Sequence, residues 1–192
     1  MSLFWLDRPR IAPTHVGDEV ITQRARFGSQ EQQIRYLREV VSVYRGHPAI
    51  RARARDIIFR VDHCEPRNEV AYALALGRWV QQWIRYCKEM PEVFQTPTAT
   101  VALGYGDCDD HVQLVASLVE SVGIESELVG LEWDAPPGSG VRRAYQHIFS
   151  RAVIGGRWYV PLDTTLPRPI EDMTDPIKIG RNAGLRLRVF RA

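Results

Sequence analysis

Cys108 is the residue around which chemistry could be built. It stands in the run Gly104-Tyr105-Gly106-Asp107-Cys108-Asp109-Asp110-His111, where three carboxylates and an imidazole crowd one thiol. A metal site, a helix cap and a nucleophilic thiol all use these residue types. The metal reading lacks a second cysteine pair at zinc spacing. It also lacks the glycine and the alternating oxygen ligands of a calcium loop. At a helix start these side chains are expected to point in several directions, so no metal and no cofactor are expected. The cap reading accounts for the acids. Asp107 suits the N-cap, where its carboxylate accepts from an N–H of the first turn. Asp109 and Asp110 suit the positive end of the helix dipole. Neither accounts for a cysteine at the first helical position behind Gly-Tyr-Gly.

The thiol reading does account for it. A helix N-terminus helps to lower a thiol pKa, and the thiolate is the nucleophile. Gly104 and Gly106 let a substrate backbone come close. The neighbouring carboxylates oppose a thiolate, so an imidazolium partner is needed. The histidines are His15, His47, His63, His111 and His147. The first three lie beside turn residues or prolines and read as structural or exposed. His111, three residues along the helix from Cys108, is expected at the surface or the core edge, away from the cleft. His147 opens a strand whose hairpin partner ends in Pro161-Leu162-Asp163-Thr164-Thr165. A carboxylate beside an imidazole fixes its tautomer and supports its cation. Cys108, His147 and Asp163, in that chain order, form an acyl-transfer constellation.

The hairpin must bring His147 and Asp163 to one face. A two-residue loop at Gly155-Gly156 would set His147 opposite Thr164 and turn Asp163 to the other side. A three-residue loop ending at Gly156, or a bulge within 159–162, would set His147 opposite Asp163. The sequence therefore predicts a bulged turn or a bulge there.

The elements that must position these residues follow from periodicity. Residues 1–28 read as an irregular arm with Pro9, Pro13, Gly17 and Gly28. Ser29 with Gln32 is a capping-box pattern, and Ile34, Leu37, Val41 and Tyr44 recur at helical spacing up to Gly46. Pro48 starts a segment whose Arg51-Ala-Arg53-Ala-Arg55 alternation fits helix or strand. Residues 68–90 predict a helix with Trp79, Trp83 and Cys87 on its apolar faces, stopped by Pro91. Residues 91–106 read as a connecting loop. A helix follows from Asp107 to about Val122, with Gly123 as a left-handed cap. Residues 125–133 read as a strand, 134–144 as a loop, and 146–165 as a hairpin. The tail 185–191 reads as a short strand with an arginine face. Helices first and strands after argue for an α+β fold.

The 192 residues carry three cysteines without regular spacing, which excludes a disulfide framework. There is no secretory signal pattern and no run long enough to span a bilayer, so a cytoplasmic protein with no membrane partner is expected. The net charge of +2 is spread unevenly: +5 over residues 1–60, −7 over 61–150 and +4 over 151–192. The basic ends could meet an acidic protein partner. No nucleic-acid motif appears, so no nucleic-acid partner is expected.

The runs Gly106-Asp107-Cys108 opening a helix, His147 opening a strand, and Trp158 then Leu162-Asp163 on its hairpin partner resemble the transglutaminase-like superfamily of the papain-like cysteine enzyme clan. The resemblance covers about residues 68–166 and includes the aromatic helix with Trp79 and Trp83, and Tyr86. It implies a papain-like core over 67–166, preceded by a helical extension over 1–66 and followed by a tail over 167–192, with the nucleophile helix packed on a small antiparallel sheet. By resemblance Cys108 is the nucleophile, His147 the general base and acid, and Asp163 the orienting acid. Tyr105 and Trp83 are candidates beside the oxyanion or substrate. The implied activity is peptidase or amidase chemistry, or transfer to a protein amine, on a protein or peptide substrate. Hydrolysis is favoured by the lack of a calcium-loop pattern or an added β-domain. The alternative is a catalytically inactive binding or assembly module, of the short single-domain kind that looks bacterial or phage-derived. Labelling of the Cys108 thiol separates the two.

Overall fold

Helix formation follows the apolar spacing nearly everywhere. The computed structural model describes residues 15–16, 19–20, 22–23, 27, 29–88, 94–133, 145–173, 175–182 and 187–192. Two-residue strands β1 (His15–Val16) and β2 (Glu19–Val20) pair with each other, and β3 (Thr22–Gln23) pairs with a later segment. Helix α1 (Gln30–Tyr44) starts where Ser29 accepts from the Gln32 N–H, and it buries Ile34, Leu37, Val41 and Tyr44. Helix α2 (Pro48–Asp56) resolves the ambiguous arginine alternation as helix. Pro48 stands at its start and His47 caps it, and one π-type turn continues it over Ile57–Val61.

Helix α3 (Glu69–Trp83) is shorter than the sequence predicts. It stops at Trp83 rather than running to Pro91, because Ile84 is extended and the chain continues as strand β4 (Arg85–Tyr86). Most of the predicted loop over 91–106 is also structured. It holds β5 (Phe94–Gln95), the partner of β3, then α4 (Pro97–Leu103), then β6 (Tyr105–Gly106), which lies parallel to β4. Pro97 occupies the first helical position of α4, with Thr96 as N-cap. Helix α5 (Cys108–Ser121) follows, and Gly123 takes the expected positive φ of 88°.

Four strands form one antiparallel sheet in the order β10-β7-β8-β9, from β7 (Glu125–Trp133), β8 (Tyr145–Ile154), β9 (Trp158–Leu162) and β10 (Leu187–Arg191). Pro161 sits in β9, an edge strand, where a missing N–H is tolerated. Helix α6 (Pro176–Asn182) precedes β10. The expected loop at 134–144 and most of the arm over 1–28 lie outside the described residues.

The hairpin uses a three-residue turn and has no bulge within 159–162. Pairs run without interruption from Ser150↔Leu162 to Ile154↔Trp158, and the turn holds three residues, Gly155, Gly156 and Arg157. Both glycines have positive φ, and the Arg157 N–H donates to Ile154 O. The turn therefore ends one residue later than expected. This register still puts odd-numbered residues of the two strands on one face, so His147 and Asp163 share it as diagonal neighbours.

Helix α5 is the centre of the molecule. Every residue from Asp109 to Val119 is buried. Leu114, Val115, Leu118 and Val119 join residues of α2, α3, β8 and β9 in one cluster, while Val112 and Ala116 join Ile34, Leu37, Val41, Phe94, Leu128 and Ile148 in a second. Burying a side chain of this size contributes about 2 kcal/mol. The Glu120 side chain, buried near the end of α5, pairs with Arg38 of α1 and with Arg45 just after that helix, and accepts from Ser126. Each of the two clusters packs α5 against both helices and strands.

Candidate active site

The first turn of α5 is built from polar groups that satisfy one another. Asp107 accepts from the Asp109 N–H at 3.0 Å, and Asp110 accepts from the Asp107 N–H at 3.2 Å, a reciprocal capping box. The other oxygen of Asp110 accepts from the Gln95 N–H at 2.8 Å, which ties β5 to the helix. Burial, with Asp107 next in effect, pushes the Asp110 carboxyl well above its usual range, against the pull of its two backbone donors. Gly106 is demanded by this packing. A Cβ there would stand 2.6 Å from the Asp110 Cβ, inside any real contact.

Cys108 is half-buried at the first position of α5, and its thiol donates to Asp109 Oδ1 at 3.6 Å. Asp109 is held on its other oxygen by Gln33 Nε2 of α1 at 2.5 Å. One turn earlier on α1, Gln30 Nε2 donates to Leu131 O and, at 3.5 Å, to His147 O. Neighbouring glutamines of one helix thus grip the residue after Cys108 and the backbone of His147. Cys108 also packs against the cluster that includes Ile148. The Asp107, Cys108 and Asp109 side chains were expected to diverge, yet their ligand atoms lie within 4.8 Å of one another. The cap and the Gln33 bond draw them together.

Strand β8 positions His147 and the end of β9 positions Asp163. His147 Nε2 and Asp163 Oδ2 are 2.6 Å apart. Asp163 is 1% exposed. Its second oxygen accepts from the Thr165 hydroxyl at 2.7 Å and from the Thr165 N–H at 3.3 Å. The carboxylate is therefore fixed from both sides.

His111 departs from its expected place. It is not at the surface but 1% exposed, with Nδ1 2.9 Å from Thr164 Oγ1 and its ring edge-on to Tyr86. Burial lowers its pKa to about 4, against the opposing field of Asp163 and a backbone interaction with Arg85. The imidazole is neutral at ordinary pH. The physical reason for its burial is its line with Val115 and Leu118 on the inward stripe of α5, a spacing the sequence did display.

Tyr105 is half-buried on β6. Trp83 is 66% exposed at the end of α3. It walls an open cleft of about 730 Å³ whose facing wall is Thr164, Thr165, Leu166, Pro167 and Arg168. His47 caps α2 and His63 is exposed. Sequence reasoning missed Gln30 and Gln33 of α1, Thr164 and Thr165. Gln30 could have been noticed, since it heads the apolar stripe Ile34, Leu37, Val41.

Among the described residues no helix is long and apolar enough to cross a membrane. Residues 58–164 match the family model of the transglutaminase-like superfamily. A candidate protease from Parabacteroides distasonis ATCC 8503 has a similar solved structure, with TM-score 0.51 and 14% identity over 80% of this chain and 31% of its own. A candidate cysteine protease from Cytophaga hutchinsonii gives TM-score 0.51 and 15% identity over 82% of this chain and 55% of its own. These likenesses show a shared fold, and the chain spans less than two thirds of the length of either protein. No curated protein matches the sequence.

Proposed function

The chain belongs to the transglutaminase-like superfamily, and from that premise we propose that it is a cysteine-dependent acyl-transfer enzyme acting on amide bonds of a protein or peptide. The observation that carries this reading is the 2.6 Å contact between His147 Nε2 and Asp163 Oδ2, on a hairpin packed beside the helix that begins with Cys108. Asp163 orients the imidazole, and His147 Nδ1 serves the thiol. The proton moves from Sγ to His147. The thiolate attacks the amide carbonyl and a tetrahedral oxyanion forms. The backbone N–H of Cys108, at the positive end of α5, is one donor to that oxyanion. The C–N bond breaks, His147 gives its proton to the leaving amine, and a thioester remains on Cys108. Water then yields a carboxylic acid, or a second amine yields a new amide, with His147 taking the proton of the attacking group.

The expected acceptor is water, which makes the protein a peptidase or amidase. Incubation with peptide libraries, with and without an added primary amine, followed by mass spectrometry, reads cleavage, deamidation and cross-linking together. Products that vanish in Cys108→Ala are the expected result. The absence of all three products, with Cys108 alkylated no faster than a free model thiol at pH 6, would overturn the enzyme reading in favour of a binding or assembly module.

A further inference from the structure

We propose that His111 is a positioning residue for this reaction: through Thr164 it ties the nucleophile helix to the turn that carries Asp163, and so sets the orientation of His147. The inference rests on the acyl-transfer reading above. Asp163 is where the two histidines meet. His147 bonds its Oδ2 directly, and His111 holds the adjacent Thr164 hydroxyl at 2.9 Å. The Thr164–Thr165 turn supplies both donors to Asp163 Oδ1 from Thr165. A shift of that turn therefore moves the carboxylate and with it the imidazole. His111 lies on the first turn of α5, three residues after Cys108, and reaches Thr164 53 residues away in sequence. One buried hydrogen bond thus links the helix of the nucleophile to the loop of the orienting acid.

The surroundings of His111 fit a fixed strut rather than a proton carrier. The ring is buried against Tyr86, with the Arg85 backbone beside it. The charged group that bears on it is Asp163, and the Arg85 backbone is its neighbour from β4; burial outweighs both and keeps it neutral. With His111 uncharged, the imidazolium formed during the reaction has no competing cation across Asp163.

The substitutions follow from atom positions. Asparagine places its amide where Nδ1 stands, so His111→Asn keeps the bond to Thr164, whereas His111→Ala removes it. Thr164→Val keeps the shape and deletes the hydroxyl, and Thr164→Ser restores it. The expected result is a kcat lowered about tenfold in His111→Ala and Thr164→Val with KM nearly unchanged, since small misplacements of a reacting group are costly. His111→Asn and Thr164→Ser should retain wild-type kcat within about twofold. A readout independent of turnover is the tautomer of His147 followed by nitrogen-15 NMR. Nε2–H should dominate in the wild type and in His111→Asn, and Thr164→Val should mix the tautomers. Should His111→Ala fail to fold, the isosteric Thr164→Val carries the test. The proposal is overturned if Thr164→Val leaves both kcat and the tautomer unchanged, or if His111→Asn is as impaired as His111→Ala. A wild type without turnover, but with the tautomer shift in Thr164→Val, would sink the acyl-transfer reading and leave the strut in place.

Discussion

Asp163 separates two regions that use the same side chain in opposite ways. On one side His147 is partly open to solvent, its side chain 14% exposed, and it bonds the carboxylate directly. On the other, His111 is sealed in the floor, neutral, and touches only the neighbouring threonine of that turn. The difference teaches that residue type does not set the role. Burial does, because a proton can be passed only where a reacting group can reach. The rim is where chemistry should respond most to substitution, and the floor is where folding should respond most.

Substitutions can break this contrast, beginning at the rim. Cys108→Ala should lower amide turnover by about 10⁴-fold or more, as loss of a nucleophile does. It should leave the melting temperature nearly unchanged, since the side chain is small and half-buried. A large loss of stability in Cys108→Ala would break the contrast at its strongest point. Asp163→Asn should cost about 10²- to 10⁴-fold in kcat by favouring the wrong tautomer of His147. A kcat within twofold of the wild type would remove Asp163 from the mechanism.

The floor should answer in stability as well. The folded pKa of His111 is depressed to about 4, below its unfolded value, so the unfolded chain binds more protons between about pH 6.5 and pH 4. Its contribution is complete above pH 6.5 and is lost as pH falls through that window, by about 3 kcal/mol. Urea unfolding at a series of pH values should show this acid limb in the wild type and a flatter one in His111→Asn. Asp110 works with the opposite sign. Its folded pKa is raised, so its contribution is present below pH 3.8 and is lost as pH rises toward the folded value. Asp110→Asn should remove this opposing slope and leave the acid limb of His111 steeper. Identical limbs in all three proteins would dissolve the distinction between rim and floor. The smallest effect is expected at Gly106. Gly106→Ala should destabilise by about 2 kcal/mol, because the new methyl group must displace Asp110. Thermal unfolding checks this, and an unchanged melting temperature would show that the floor can yield.

Much of this arrangement was legible in the sequence, and the unread parts have identifiable causes. The long helices were readable because Ile34, Leu37 and Val41, or Val112, Val115 and Leu118, repeat at the period of a buried face. Helix α4 was not, because Pro97, Thr98 and Thr100 look like loop residues until they are seen packed against α5. The end of α3 was misplaced because Ile84 and Cys87 continue the apolar period after the backbone has become extended. His147 and Asp163 were found by type and order, and the face they share was set by the turn length. That length could not be read, since Gly155-Gly156 fits a turn of two or of three residues. A histidine beside three carboxylates suggests the surface or the core edge, although the spacing of His111 with Val115 and Leu118 points inward. The Gln30, Gln33 and Thr164 contacts join segments tens of residues apart, and no local pattern carries them.

The Gly155-Gly156-Arg157 turn has a consequence for how such a chain can vary. It lies at the far end of β8 from His147, roughly 25 Å away at the rise of an extended strand. Its three residues are exposed, and nothing lies within 4 Å of a Cβ built on either glycine. The buried Ala152 and Leu162 hold the ladder in register independently of the turn. Natural insertions can accumulate at that tip, lengthening the hairpin like a handle, while His147 and Asp163 at its root keep their spacing.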